Sequence, residues 1–389
     1  MLTGDQTYIK KINRSVILGK IIENGMISRA DLSKITGLNK ATISVQVSDL
    51  LNEELIIETQ QEHKNLGRRP IMLSINHQAG FALGIDLDKN TITFRLTDLR
   101  GYPVTVDVIE LQSSNYQEIL ALLVKHIKDY QTKCSYTRYG LVEAVIGIHG
   151  IVNTNEMIYF VPQHKWQNKN LKDDIKKEIE IDLYVENNAN LCSYAEQVYK
   201  HQQSKNLLCV SISSGIGLGI LANGEFLKGY NGYAGEIGHM IVVPDGIPCS
   251  CGNLGCWEQY ASESSFFAQL SQKQTKQNIN YRDIKKWVSE LEPNTMNQLE
   301  QFIKYVSIGL NNIINLYNPE ILVVNCELLQ LYPDAIIEIK KHLTSTISHY
   351  QELLISELGN KACAMGACSL AIKNFLDITE LSLTIDEFD

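Results

Sequence analysis

Between Gly232 and Glu258 the chain reads GYAGEIGHMIVVPDGIPCSCGNLGCWE, which brings Glu236, His239, Cys249, Cys251, Cys256 and Glu258 into one glycine-rich stretch. One imidazole and three thiols complete a tetrahedral set for a zinc ion. A site closed by protein ligands alone is structural, since it leaves no position for a reacting water. Cys249, Cys251 and Cys256 fall in a tight turn that Gly252 and Gly255 permit. His239 lies far enough upstream to return from the far side of a short hairpin. Buried free thiols around a core histidine are the other reading, and the glycine-rich spacing argues for the metal. Glu236 and Glu258 flank the ligands without joining them. They are then free to accept hydrogen bonds from a polyhydroxyl ligand, while the metal fixes the loop that carries them.

GEIGH followed by CSCGNLGCWE resembles the signature of the ROK family, which puts sugar kinases and sugar-responsive transcriptional repressors on one fold. The resemblance runs over nearly the whole chain. It implies an α/β protein: an N-terminal winged helix-turn-helix over residues 1–78, then a two-lobed actin-like, ribonuclease H-like sugar-kinase fold over 79–389. It also implies structural zinc on His239, Cys249, Cys251 and Cys256, in a zinc loop at 239–256, and sugar contacts from Glu236, His239 and Glu258.

The elements that must position these residues can be read from the rest of the chain. Its 389 residues, 44% hydrophobic, suffice for two or three globular domains. No apolar run reaches membrane-spanning length, and the start MLTGDQTYIKK lacks the apolar segment of a signal peptide. Nine cysteines without regular pairing fit a reducing cytoplasm. The net charge of −9 is uneven: residues 1–77 hold ten Lys and Arg against eight Asp and Glu, and the remainder holds 25 against 36. A mildly basic head on an acidic body fits a DNA module joined to a small-molecule module.

In the head, KKINRSVILGKIIENG predicts an amphipathic helix with Ile12, Val16, Ile17 and Ile21 inward and a stop at Gly25. Ser28 predicts the cap of a short helix ended by Gly37, and Asn39 the cap of KATISVQVSDLLNEEL, with Ile43, Val47, Leu50 and Leu51 facing in. That helix-turn-helix order places the second helix in a major groove, with Lys40, Thr42, Ser44 and Gln46 as candidate DNA contacts. LIIETQ and PIMLSIN predict a hairpin wing whose basic tip, with Arg68 and Arg69, suits phosphate or the minor groove. GLNKATIS and GRRP resemble the family's repressors; a helical bundle with a solvated basic loop is the blander alternative.

In the body, GFALGIDLDKNTITFRLTDLRG predicts a hairpin. The family's kinases carry a phosphate loop at this turn; here Asp86, Leu87, Asp88, Lys89 and Asn90 stand there, and the loop looks lost. His149, at the end of LVEAVIGIHGIV, is either a turn residue or a ligand contact, in a place where the family commonly has proline. Gln163 and Trp166 fall near a segment beside the family's sugar, although such a tryptophan is as often plain core. Ser213, Ser214, Gly215, Gly217 and Gly219 are a tight hairpin or a second phosphate segment. Asn325, Cys326 and Glu327 stand where kinases have paired glycines near adenosine. In ENNAN, Asn188 takes the position at which the kinases carry the aspartate that deprotonates the sugar hydroxyl. An amide has no basic site for that proton, yet it still donates and accepts hydrogen bonds, so Asn187 and Asn188 suit holding a sugar without reacting with it.

No catalytic residue is therefore expected. DQTYIKKINRSVIL, GLNKATIS and ENNAN look most like the xylose-responsive repressors of the family. The function implied is a homodimeric repressor of xylose-utilisation genes that releases double-stranded operator DNA on binding free xylose, with no membrane partner. Glucose or N-acetylglucosamine 6-phosphate as effector, or ATP-dependent sugar kinase activity, are the alternatives.

Overall fold

Short polar side chains set the first helix boundaries. The structure, a computed structural model, describes residues 6–60, 71–274, 276 and 278–384. Helix α1 (Gln6–Asn24) leads into the two-residue strand β1 (Ile27–Ser28). Ser28 caps α2 (Arg29–Thr36) by accepting from the Asp31 amide, and Gly37 ends it at φ 70°. Asn39 caps α3 (Lys40–Asn52), accepting from Thr42 N at 2.8 Å. Strands β2 (Ile56–Gln60) and β3 (Ile71–Ile75) pair antiparallel, and β1 joins the free edge of β3. Ile43, Val47 and Leu50 are buried as expected. Ile12 and Val16 are not: they are 44% and 37% exposed, and Ile17, Leu18 and Ile21 fill the interior. The helix turns its i, i+1, i+4 face inward, keeping Ile17 and Ile21 of the expected stripe and adding Leu18 in place of Ile12 and Val16.

The described residues form two compact units, the first drawn from residues 1–147, 170–185 and 364–389 and the second from 148–169 and 186–363. The first unit has a five-stranded sheet in the order β11-β7-β4-β5-β6, made of β4 (Phe81–Leu87), β5 (Thr91–Asp98), β6 (Pro103–Glu110), β7 (Leu141–Ile148) and β11 (Leu183–Asn187). Helices α4 (Tyr116–Cys134), α5 (Leu171–Lys176) and α13 (Ala362–Leu376) accompany it. At the β4–β5 turn Asp88 closes its own hairpin, its amide donating to Thr91 O at 3.0 Å and its carboxylate accepting from Lys89 N at 2.7 Å. The head belongs to this unit; its contacts do not separate at residue 78. Tyr139 donates to Glu53 O at 2.8 Å and Arg138 pairs with Glu54 at 2.7 Å. Beyond α13 the chain also runs along α1: Asp377 pairs with Lys11 at 2.9 Å, and Thr379 N donates to Ser15 Oγ at 3.1 Å. Ile378, Leu381 and Leu383 of this strap are buried.

In the second unit β8 (Ile151–Val152), β9 (Ile158–Val161) and β10 (Trp166–Lys169) make a small antiparallel sheet. The larger sheet runs β14-β13-β12-β15-β16, from β12 (Leu207–Ile212), β13 (Ile216–Ala222), β14 (Glu225–Phe226), β15 (Ile321–Asn325) and β16 (Glu352–Ile355). Strand β15 lies parallel between β12 and β16. Helix α6 (Asn188–Tyr199) packs on β12 and β13, so closely that a Cβ at Gly219 would stand 2.1 Å from Ala189 O. That approach accounts for the glycine alternation in β13 without any phosphate. The remaining helices are α7 (Glu258–Ala261), α8 (Glu263–Lys273), α9 (Tyr281–Ser289), α10 (Pro293–Tyr317), α11 (Glu327–Gln330) and α12 (Ala335–His342). Of these α10 is the centre, burying Leu299, Phe302, Val306, Leu310 and Ile313 in the unit's core.

Two predictions follow from this packing. Replacing Leu381 and Leu383 by Ala removes buried side chains that typically contribute about 2–5 kcal/mol each. Amide exchange at Ile17–Ile21 should then accelerate while α10 stays protected; unchanged exchange in α1 would show that the strap does not hold the head. Burial lifts the Glu196 carboxyl from an ordinary 4.5 to about 7, against the hydrogen bond it accepts from Ser356. Its contribution to stability is complete below pH 4.5 and lost as pH rises through 7. Glu196→Gln should raise the melting temperature by several degrees at pH 8 and hardly at all at pH 4, by calorimetry; equal gains at both pH values would refute the titration.

Candidate functional site

Little regular structure holds the stretch from Gly232 to Glu258: a 3-10 turn at Ile237–His239 and the isolated bridges Ile241–Cys256 and Pro248–Leu254. Gly252 and Gly255 let it double back, at φ 99° and 83°. A Cβ on Gly255 would lie 1.7 Å from Val243 O. The fold-back brings His239, Cys249, Cys251 and Cys256 together, with their ligand atoms all within 4.8 Å of one another. His239 Nδ1 is 3.6 Å from Cys249 Sγ, and Cys251 Sγ is 3.6 Å from Cys256 Sγ. A tetrahedral zinc ion with bonds of about 2.0–2.3 Å spaces its ligands about 3.6–3.8 Å apart. The donor set therefore fits a metal ion. Burial, then hydrogen bonding to the other thiols, pushes Cys256 up to about 12, so a cation binding here must displace thiol protons.

The flanking carboxylates lie against this cluster. Glu258 Oε1 is 3.2 Å from Cys249 Sγ and 3.6 Å from His239 Nδ1. Glu258 opens α7 next to Trp257, which is fully buried and donates to Tyr305 O at 2.7 Å. Burial raises Glu236 above the usual carboxylate range, with the Glu258 charge adding to it and His239 opposing.

Beside the loop is a cavity of about 390 Å³ lined wholly by the second unit, among others by His149, Phe160, Gln163, Asn187, Asn188, Ser213, Ser214, Glu236, His239, Glu258 and Ser262. All five expected sugar contacts, Asn187, Asn188, Glu236, His239 and Glu258, thus face one space. Asn187 is the most committed of them. Its oxygen caps α6 by accepting from Ala189 N at 2.8 Å, and its amide donates to Gly150 O at 2.8 Å. Glu186 just before it is buried, pairs with Lys228, and accepts from Asn187 N at 2.9 Å and Asn190 Nδ2 at 3.0 Å. Asn188 Nδ2 lies 3.3 Å from His149 Nδ1. Trp166 does not line the cavity: it is buried and stacks on His164, centroids 4.9 Å apart. The aromatic on the wall is Phe160, which the short run IYFV gave no means of singling out. The serines after Tyr260 were also missed, although the run ASESS marks a polar turn.

In the head, Lys40 and Ser44 are exposed and Thr42 is half-buried. Gln46 is 4% exposed and thus withdrawn from the outer face, because it shares the i, i+3, i+4, i+7 side of α3 with Ile43, Val47 and Leu50. Val45, 57% exposed, takes the outer position instead. Arg68 and Arg69 lie outside the described residues.

Residues 82–374 match the ROK family. The chain belongs to that family. A xylose repressor from Bacillus spizizenii is 36% identical over 383 residues, covering 97% of this chain and 99% of the relative. A solved structure of a ROK family transcriptional regulator, a homologue of the E. coli MLC protein, superposes with a TM-score of 0.80 at 28% identity and covers 95% of this chain and 96% of that one. A glucokinase from Streptomyces coelicolor is 27% identical over 317 residues, spanning 98% of its own length but 75% of this chain.

Cys251→Ser should lower bound zinc well below one ion per chain by elemental analysis and leave the Gly232–Glu258 loop open to proteolysis. Stoichiometric metal in that variant would exclude Cys251 from the ligand set.

Proposed function

We propose that this ROK protein is a sugar-responsive transcriptional repressor whose effector is free xylose, and that it is not an enzyme. The observation that carries the reading is the cavity, where hydrogen-bonding side chains converge from three segments but an amide, Asn188, stands at the place of the family's catalytic aspartate. Near-full-length similarity to a xylose repressor supports both the class and the sugar. Asn187, Asn188, Glu236, His239 and Glu258 hold the sugar hydroxyls. His239, Cys249, Cys251 and Cys256 hold a structural zinc, which when bound cross-links the loop that presents Glu236 and Glu258. With Nδ1 turned to the thiols, the opposite ring nitrogen of His239 is the one left for ligand.

Two further features speak against phosphoryl transfer. Asp88 closes a tight turn with its own carboxylate, where a phosphate would meet negative charge. On the adenosine side, the buried carboxylate of Glu263 accepts from Leu328 N at 2.9 Å and lies 3.4 Å from Cys326 Sγ, so side chains fill the start of α11.

The winged helix-turn-helix is the DNA-binding end, with Lys40, Thr42, Ser44 and the exposed Val45 of α3 toward the major groove and Arg68 and Arg69 as further candidate contacts. A cytoplasmic homodimer presents two such helices about 34 Å apart to a palindromic operator. Among the described residues no helix is long and apolar enough to cross a membrane. Sugar binding and operator release are linked, with coupling of about 1–3 kcal/mol that acts equally in both directions.

The test is a binding site selected from random duplex DNA and a titration of the complex with xylose, glucose and N-acetylglucosamine 6-phosphate. Release by xylose at about 5–150-fold lower operator affinity is expected. Glu258→Gln should keep operator binding and lose the response; loss of both would assign Glu258 to folding. Failure to select any sequence would sink the repressor reading.

A further inference from the structure

Resting on that sugar reading, we infer that His149 and Asn188 form a steric filter that admits a pyranose without an exocyclic arm and turns away one that carries it, so that His149 determines pentose specificity. The two side chains meet on the cavity wall at 3.3 Å and present one continuous surface of imidazole and amide. In that contact the amide N–H donates toward Nδ1.

The backbones that carry both partners are held in place. The turn that carries His149 is pinned from two directions. A Cβ on Gly150 would lie 2.4 Å from Phe160 O, and Gly150 O accepts from Asn187 Nδ2 at 2.8 Å. Asn188 opens α6, which the contact of Ala189 O with Gly219 holds against β13. A contact surface on two fixed backbones discriminates by shape, since its side chains yield less to an oversized ligand than those of a mobile loop.

The direction in which a sugar would meet this surface follows from Asn188's position. A glucokinase phosphorylates the hydroxyl at the end of the exocyclic CH2OH, so the side chain at the base position faces that arm. Here the arm would run into Asn188 with the imidazole beside it. D-xylopyranose has the ring and hydroxyl configuration of D-glucopyranose and lacks only the CH2OH. The ring contacts to Glu236, His239 and Glu258 can therefore be the same for both, and the arm alone separates them.

The experiment is calorimetric titration of the full-length protein with D-xylose, D-glucose and 6-deoxy-D-glucose, for the natural chain, His149→Ala and His149→Ser. Xylose should bind roughly 10–200-fold more tightly than glucose, the range that small steric differences in a pocket provide. Both variants should narrow that ratio at least about tenfold, chiefly by gaining glucose affinity, with 6-deoxyglucose following glucose. A ratio unchanged in both variants, with operator binding intact as the folding control, would overturn the filter. Equal binding of xylose and glucose by the natural chain would overturn the filter and keep the sugar reading. Binding of none of the three would overturn both. Glu258→Gln separates the two roles: it should weaken xylose and glucose alike and leave their ratio in place.

Discussion

The convergence of His239, Cys249, Cys251 and Cys256 is the constraint on which the ligand side of the molecule depends. The stretch that carries Glu236 and Glu258 has no strand ladder and only a single 3-10 turn, so its course rests on scattered backbone hydrogen bonds such as Trp257 N to Met240 O at 2.8 Å. One imidazole and three thiols within 4.8 Å of one another supply a further restraint, provided a cation draws them together. Deprotonated side by side without it, they would repel. With it, an irregular loop acquires a fixed point next to Glu258, whose Oε1 lies 3.2 Å from Cys249 Sγ.

The opposite wall of the cavity solves the same problem without a metal. Its turns at His149–Gly150 and Asn187–Asn188 are held by backbone proximity and by the doubly used amide of Asn187. Just before Asn187, the buried Glu186 pairs with the half-buried Lys228. Rigidity from two sources thus surrounds one space. That suits recognition of a small polyol, whose few hydroxyls give little energy to spend on ordering a floppy site.

Much of this was legible in the chain because it rests on local chemistry. Caps at Ser28, Gly37 and Asn39 are decided by one side chain and its neighbours, and the Cys-rich turn advertises its ligands by type and spacing. What escaped depends on which way an element faces once packed. Gln46 looked like a base contact because it is polar, but the rotation of α3 puts it with Ile43 and Leu50. Ile12 and Val16 looked like core for the opposite reason. Trp166 read equally as a sugar platform or as plain core, and His164 stacked on its face decides for core. The strap over α1 could not be read at all: Leu381 and Leu383 are unremarkable in composition, and the strap's contacts, Asp377 with Lys11 and Thr379 with Ser15, join residues at opposite ends of the sequence.

A pocket that binds sugar and a pocket that phosphorylates it differ by surprisingly few atoms. Exchanging a carboxylate oxygen for an amide nitrogen at Asn188 removes the proton acceptor, a loss of about 10²–10⁴ in rate for a general base, while retaining a group able to hydrogen-bond a hydroxyl. The amide also puts an N–H 3.3 Å from His149 Nδ1, a donor that a carboxylate lacks. On the proposed reading, the substitution that ends catalysis is also the one that lets His149 close the space once needed by the reacting arm. Loss of chemistry and gain of pentose selectivity then have a single physical cause.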